Sequence, residues 1–232
     1  MQTLLHRAED RGQADHGWLN TRYSFSFADW YDHTRMGFGA LRVINDDVIA
    51  PASGFGEHGH RDMEIVTIVF EGTLTHKDSM GNLGVVEKGD VQIMSAGTGV
   101  LHSEYNASVS VPLKLFQIWI EPHTKGTSPR YGQKAFGTYP IGITTMVSPE
   151  RELSIQQNAR IAIGVVSPEE SITYSLSKGQ GLYALVIEGK AAVAGVAANT
   201  RDAVGVSETA SVTIKASAPA TLLLIEVPME RV

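Results

Sequence analysis

A chain of 232 residues has room for one large all-β unit or two small domains, and its 43% apolar and 19% charged residues supply a core of ordinary proportions. A formal net charge of −6 without any basic cluster argues against direct binding of nucleic acid. The absence of cysteine removes disulfides, thiolate metal sites and cysteine nucleophiles, so a metal would have to be held by histidine and carboxylate.

The opening "MQTLLHRAEDRGQADHGW" turns polar and charged within ten residues and lacks the apolar core of a signal peptide. No run reaches the ~18 apolar residues that a membrane span requires. A cytoplasmic protein is expected. The cluster Tyr23, Phe25, Phe27, Trp30 and Tyr31 is expected in the core and between domains, with the wall of a pocket for a planar substrate as the alternative. Then follow short runs rich in Val, Ile, Leu, Phe and Thr, bounded by Gly, Asn, Asp and Pro: "GALRVIND", "MEIVTIVFEG", "GVVEKGDVQIMSAG", "PLKLFQIWIEP", "GLYALVIEGKAAVAG", "ASVTIKAS" and "ATLLLIEVP". Many short strands at regular spacing predict an all-β sandwich or barrel.

The segments Glu64–Ala96 and Gly181–Ala216 share a plan. Each begins with an apolar strand ending in Glu-Gly (Glu71-Gly72 and Glu188-Gly189) and continues through a short strand and a turn. A Val-led strand and an alternating apolar strand complete each copy. Two β-domains of one architecture are expected, 1–130 and 131–232, joined in the polar stretch "GTSPRYGQKAFGTYPIG".

Two stretches carry candidate chemistry. "GEHGHRDME" holds His58 and His60, and "GTGVLHSEYN" holds His102 and Glu104. Residues i and i+2 of a strand project from one face, so each pair points one way. If the two strands face each other across a barrel, four ligands converge. Imidazole nitrogen and carboxylate oxygen suit a first-row divalent ion and leave positions open in an octahedral shell. All eight histidines lie in the first 123 residues, and aligning the two Glu-Gly turns sets Ser175 and Ser177 opposite His58 and His60. A metal is therefore expected in the first domain and none in the second. His6, His16, His33, His76 and His123 are read as surface or hydrogen-bonded histidines. No signature for serine hydrolysis or a phosphate loop is present.

"HGHRDME" with "EG", and later "GDVQIMSAGTGVLHSEYN", resemble the two motifs of cupin barrels. With "FSFADWYD", "MGFGALRVINDD", "HKDSMGN" and "LFQIWIEP", the chain resembles the pirin family of bicupins, strongly over residues 10–135 and compatibly beyond. The resemblance implies two tandem cupin (double-stranded β-helix, or jelly-roll) barrels, the C-terminal one lacking metal ligands. It also implies one non-haem metal on His58, His60, His102 and Glu104. Fe(II) is the usual ion, with Mn, Ni, Co, Cu or Zn compatible with the same donors. Glu64 is then expected to orient a ligand imidazole through its other nitrogen, or to serve the strand structurally. Bacterial relatives imply a quercetin 2,3-dioxygenase activity on a flavonol and O2, with Glu104 as the base. Animal relatives imply instead a non-catalytic, iron-dependent regulator that binds a partner protein. A cupin enzyme acting on another small metabolite is the third reading. A monomer is expected, because the tandem arrangement already gives each barrel a partner.

Overall fold

The computed structural model describes residues 1–230. Among them are twenty-one strands and one short 3-10 turn, Ala8–Asp10. The first half carries β1 (Gln2–His6), β2 (Gly12–Asp15), β3 (Leu19–Tyr23), β4 (Leu41–Ile49), β5 (Gly54–His60), β6 (Glu64–Glu71), β7 (Thr73–Asp78), β8 (Leu83–Glu87), β9 (Asp90–Ser95), β10 (Val100–Asn106), β11 (Leu113–Ile120) and β12 (Arg130–Ala135). The second half carries β13 (Gly142–Val147), β14 (Arg160–Val166), β15 (Ser171–Ser175), β16 (Gln180–Glu188), β17 (Lys190–Val193), β18 (Val196–Asn199), β19 (Ala203–Ser207), β20 (Ser211–Ala216) and β21 (Ala220–Pro228). No helix among the described residues is long and apolar enough to cross a membrane.

The strands form two barrels, each of one large and one small antiparallel sheet. The first has the orders β12-β9-β6-β11-β4-β3-β2 and β5-β10-β7-β8. The second follows the same orders, without a counterpart of β2, as β1-β19-β16-β21-β14-β13 and β15-β20-β17-β18. The internal repeat is thus real, but its second half is displaced by one strand from the reading of the sequence. Strand β9 matches β19 in sheet position, and the alternating strand β20 matches β10. Alternation of apolar and polar residues looks alike in any half-buried strand, so pattern alone could not separate neighbours.

Strand pairing also crosses the expected join after residue 130 in two places. Strand β12 lies against β9 of the first large sheet, while β1, from the chain's start, lies against β19 of the second. Each large sheet therefore has the same edge covered by a strand from a different part of the chain, which satisfies backbone groups that would otherwise be open to pairing. The two large sheets face each other over a shared apolar cluster. Val66, Ile68, Phe116 and Ile118 come from the first barrel, and Ile161, Tyr183, Leu185 and Leu223 from the second. Burial of each such side chain contributes about 1.5–3 kcal/mol.

The aromatic cluster near the chain's start divides. Phe25 is buried against Tyr183 and His6 between the barrels. Tyr23 and Phe27 instead line a cavity of the first barrel, so for these two the pocket-wall alternative is the one observed. Tyr31 is 72% exposed and packs in neither place.

The two Glu-Gly turns differ in tightness. Gly72 has φ +82° and Gly189 φ +89°, a region that L-residues enter at a cost. A Cβ at Gly189 would stand 1.9 Å from the Pro219 carbonyl oxygen, whereas at Gly72 the nearest atom, the Pro112 carbonyl oxygen, is 2.9 Å away. Gly189→Ala should lower unfolding stability by roughly 1–3 kcal/mol, and by more than Gly72→Ala does. Urea unfolding of the two variants checks the order.

Candidate metal centre

Along β6 the side chains alternate between two environments. Val66 and Ile68 join the cluster between the barrels, while Ile65 and Val69 point into the first barrel. The barrel interior holds two apolar clusters. One contains Leu19, Ile49, Val69, Leu74, Val86, Leu113 and Leu115; the other contains Ile65, Met94, Ala96 and Val100. Between them runs a polar row. Gln92 pairs with Thr67, Thr67 with Gln117, Gln117 with Asn45, and Asn45 with Tyr23, which carries the row across five neighbouring strands. Thr67, Gln92, Asn45 and Asp47 are at most 4% exposed. The equivalent row of the second barrel is Val204, Ala184, Leu224 and Ala162, all within its aliphatic core.

The small sheet opposite supplies the imidazoles. His102 on β10 is the register partner of His58 on β5, and Glu104 of His76 on β7. Between His102 and Glu104 the pairing shifts, because β5 carries a bulge at Gly56–Glu57. The extra residue turns Phe55 and His58 to the same side, and both line the cavity. His58, His60 and His102 each offer a ring nitrogen within 4.8 Å of the others, and the Nε2 atoms of His58 and His102 stand 3.1 Å apart. His58 Nδ1–H donates to the Gly56 carbonyl at 2.8 Å, which leaves its Nε2 lone pair free.

Glu104 is 1% exposed and is oriented from two sides. Gln92 Nε2 donates to its Oε1 at 3.0 Å and Gln117 Nε2 to its Oε2 at 2.9 Å, while Trp119 Nε1 holds Gln117 Oε1 at 3.1 Å. Glu104 and His102 also form a second trio, with His76, whose three ligand atoms lie within 4.8 Å of one another. From the sequence, His76 is expected to be a surface or hydrogen-bonded histidine. It is hydrogen-bonded, to Asp78 at 3.1 Å, but it is also wholly buried, with Nδ1 unpartnered and 4.0 Å from Glu104 Oε1. The signal was its spacing: "LTH" continues from an inward Leu74, so His76 shares that face.

Glu64 is corrected. Its carboxylate accepts from Ser95 Oγ at 2.6 Å and bonds the Gln156 backbone, not a ligand imidazole. Strand β5 belongs to the small sheet and β6 to the large one, and the turn between them, with Asp62 at φ +48°, carries Glu64 away from the imidazoles. Its role is structural. The polar row itself, Gln92, Gln117, Asn45, Asp47 and Thr67, was missed. Thr67, Gln92 and Gln117 are each a lone polar residue inside an apolar run, as in "EIVTIV" and "LFQIWI", a visible interruption of pattern, whereas Asn45 and Asp47 belong to the polar stretch "NDD".

Electrostatics favour a cation. Burial, then the neighbouring histidines, lowers the pKa of His102 to about 3 and that of His60 to about 4, so both rings are neutral at neutral pH. Burial pushes Glu104 up from the ordinary carboxylate range, offset by the nearby imidazoles and by the two amide donors. The residues fit a divalent ion. Ligands about 2.1 Å from a metal on adjacent octahedral positions stand roughly 3.0 Å apart, close to the separation of the two Nε2 atoms. The unpartnered, buried Nδ1 atoms of His76 and His102 show that protein groups alone do not satisfy this cluster. His58, His60 and Glu104 open on a cavity of about 180 Å³ walled by Tyr23, Phe27, Phe55 and Trp119.

A family model described as Pirin matches residues 5–120, and one described as the quercetinase C-terminal cupin domain matches residues 145–227. A quercetin 2,3-dioxygenase of Escherichia coli is 42% identical over 227 residues, which is 97% of this chain and 98% of that protein. A pirin-like protein of Caulobacter vibrioides is 43% identical over 221 residues, 93% and 95% of the two chains. The crystal structure of the bacterial pirin YhhW from Escherichia coli, solved in complex with nickel(II), superposes with a TM-score of 0.93 at 41% identity, covering 98% of this chain and 99% of that one.

Two predictions arise here. Gln117→Leu removes a donor from Glu104 and a partner from Trp119. Loss of such outer support should weaken metal binding about 10–100-fold, as read by competition with a chelator. In the metal-free protein, His60 and His102 stay neutral while the unfolded chain takes up protons below its ordinary value of 6.5. The unfolded state then binds more protons, so stability is full above that value and falls as the pH drops towards the folded values. The melting temperature should decline from pH 7 to pH 5, less steeply in His60→Gln.

Proposed function

The chain belongs to the pirin family, and on that footing we propose that it is a mononuclear metal-dependent dioxygenase of the quercetin 2,3-dioxygenase type. It would open the central ring of a flavonol with O2 and release carbon monoxide. The observation that carries this reading is the trio His58, His60 and His102, which shares His102 with the trio His76, His102 and Glu104, beside a cavity with aromatic walls on which His58, His60 and Glu104 open.

His58, His60, His102 and Glu104 would hold the ion, for which we take Fe(II); the same donors also accept Mn, Ni, Co, Cu or Zn. When bound, such an ion supplies Lewis acidity and open positions for a deprotonated hydroxyl and for O2. The protein's own part is acid–base chemistry, orientation and exclusion of water. Glu104, its basicity raised by burial, takes the proton of the flavonol 3-hydroxyl on a carboxylate oxygen. Gln92 and Gln117 keep that carboxylate pointed at the cavity while its charge changes. Trp119, Phe27, Phe55 and Tyr23 confine a planar ring and displace water from around it.

We take the second barrel to be metal-free. Its interior row is aliphatic, and on its small sheet the buried Val212 and Ile214 stand at the places of His102 and Glu104, with Tyr174, the partner of Val212, at the place of His58; Ser175, which the aligned turns set opposite His58, is exposed, one position off the inward face. Its large sheet covers the outer face of the sheet that carries Gln117 and Trp119, so it acts as support. With both large sheets buried against one another, a monomer accounts for the fold.

Metal-loaded protein mixed with quercetin without oxygen should leave the flavonol absorbance intact until air enters, and then lose it. His58→Ala and His102→Ala should abolish that loss together with metal binding. Quercetin surviving in air beside fully metal-loaded protein would reject the activity.

A further inference from the structure

The cavity has a side remote from the imidazoles, and nothing in the proposed chemistry uses it. There, β3 and β4 present Thr21 and Tyr23 beside Asn45 and Asp47, where Thr21 is the register partner of Asp47 and Tyr23 of Asn45. Thr21 is 1% exposed, Asp47 2% and Asn45 4%. Thr21 Oγ1, Asn45 Oδ1 and Asp47 Oδ1 are all buried and reach no protein group in full hydrogen-bonding geometry, although the Thr21 hydroxyl lies close enough to Asp47 and Tyr23 to act on both. Buried polar atoms without partners are costly and rare. The second barrel avoids that cost, with Ala162 and Leu224 at the places of Asn45 and Gln117. The fold itself therefore does not require these residues. Two of the three free atoms are acceptors, so what they lack is a donor.

Size narrows the occupant. A cavity of about 150 Å³ holds one benzene molecule, and this one, of about 180 Å³, takes a single ring with its substituents between the aromatic walls. A three-ring flavonol would then leave its remaining rings at the mouth. We propose that Thr21, Asn45 and Asp47 form a specificity subsite that receives one hydroxylated aromatic ring and selects for adjacent hydroxyl donors on it. This rests on the flavonol reading for the identity of the ring, which would be the one attached beside the 3-hydroxyl. Asn45 and Asp47 accept from the two hydroxyls, and Thr21 accepts from or donates to the same pair. Burial, aided by Asp46 and Glu104 and opposed by the Thr21 hydroxyl, raises the Asp47 pKa to about 7, so the pocket tolerates this side chain without a buried counter-charge.

The test uses metal-loaded protein without oxygen and reads binding by quenching of tryptophan fluorescence. The ligands are quercetin, galangin (the flavonol whose corresponding ring is unsubstituted), catechol and phenol. The native protein should bind quercetin at least about tenfold more tightly than galangin, and catechol more tightly than phenol. Asp47→Leu and Asn45→Leu should bring the quercetin-to-galangin ratio to within about threefold, and Asp47→Asn, which keeps an acceptor, should restore part of it. Equal binding of the two flavonols by the native protein overturns the subsite, and that result needs no variant to fold. A ratio unchanged in folded, metal-loaded Asp47→Leu overturns it too. Admitting air separates the two readings. If both flavonols bind and are consumed alike, the activity stands and the subsite falls. If no flavonol is consumed but catechol binding still depends on Asp47, the subsite stands and the activity falls.

Discussion

A line of hydrogen-bonding side chains runs through the middle of the first barrel at a level where its twin carries valine, alanine and leucine. The rest of the site depends on this contrast. A jelly-roll interior is stabilised by apolar burial, and each amide or carboxylate placed inside it must find a partner or destabilise the fold. Gln92 and Gln117 find Glu104; Glu104, His76 and His102 find one another only loosely, through gaps of the size a metal ion spans. The barrel thus gives up some of its core for a polar layer whose charges are completed from outside the polypeptide. Apolar clusters above and below keep that layer dry and fix its register.

The duplicated architecture shows what the exchange required. Both barrels use the same strand order, the same Glu-Gly turn and the same edge-covering device, yet only in the first do the inward positions of the small sheet carry imidazoles. A bulge at Gly56–Glu57 accompanies them and brings Phe55 to the same side as His58. The second barrel has aliphatic side chains at that level, keeps a buried carboxylate, Glu226, bonded by the Tyr174 hydroxyl, and lends one face to the sheet that aims Gln117 and Trp119. Rigidity at the centre is therefore supplied across the shared core as well as within the first barrel. Preorganised donors act most strongly when their own supports cannot move.

Much of this could be read before any coordinates. The H-x-H and H-x-E spacings name four side chains that share two strand faces, because alternation along a strand is a local property. The Glu-Gly turns reveal the duplication, since a positive φ at glycine leaves a mark in sequence. Errors arose where the inference passed from one strand to another. Glu64 follows His60 closely along the chain, but β5 and β6 lie in different sheets, so it orients no ligand imidazole. His76 carries no motif of its own, and its proximity to Glu104 comes from the pairing of β7 with β10.

Local chemistry along the chain thus determined the strand content, the repeat, the absence of thiol chemistry and the pairs of metal-seeking residues. The tertiary structure alone decided which pairs meet, which edge strand serves which sheet, and which lone polar residue of an apolar run faces a ligand. Those outcomes depend on register between segments distant in sequence. A one-residue shift there would exchange the inner and outer faces of every strand without altering a single local preference.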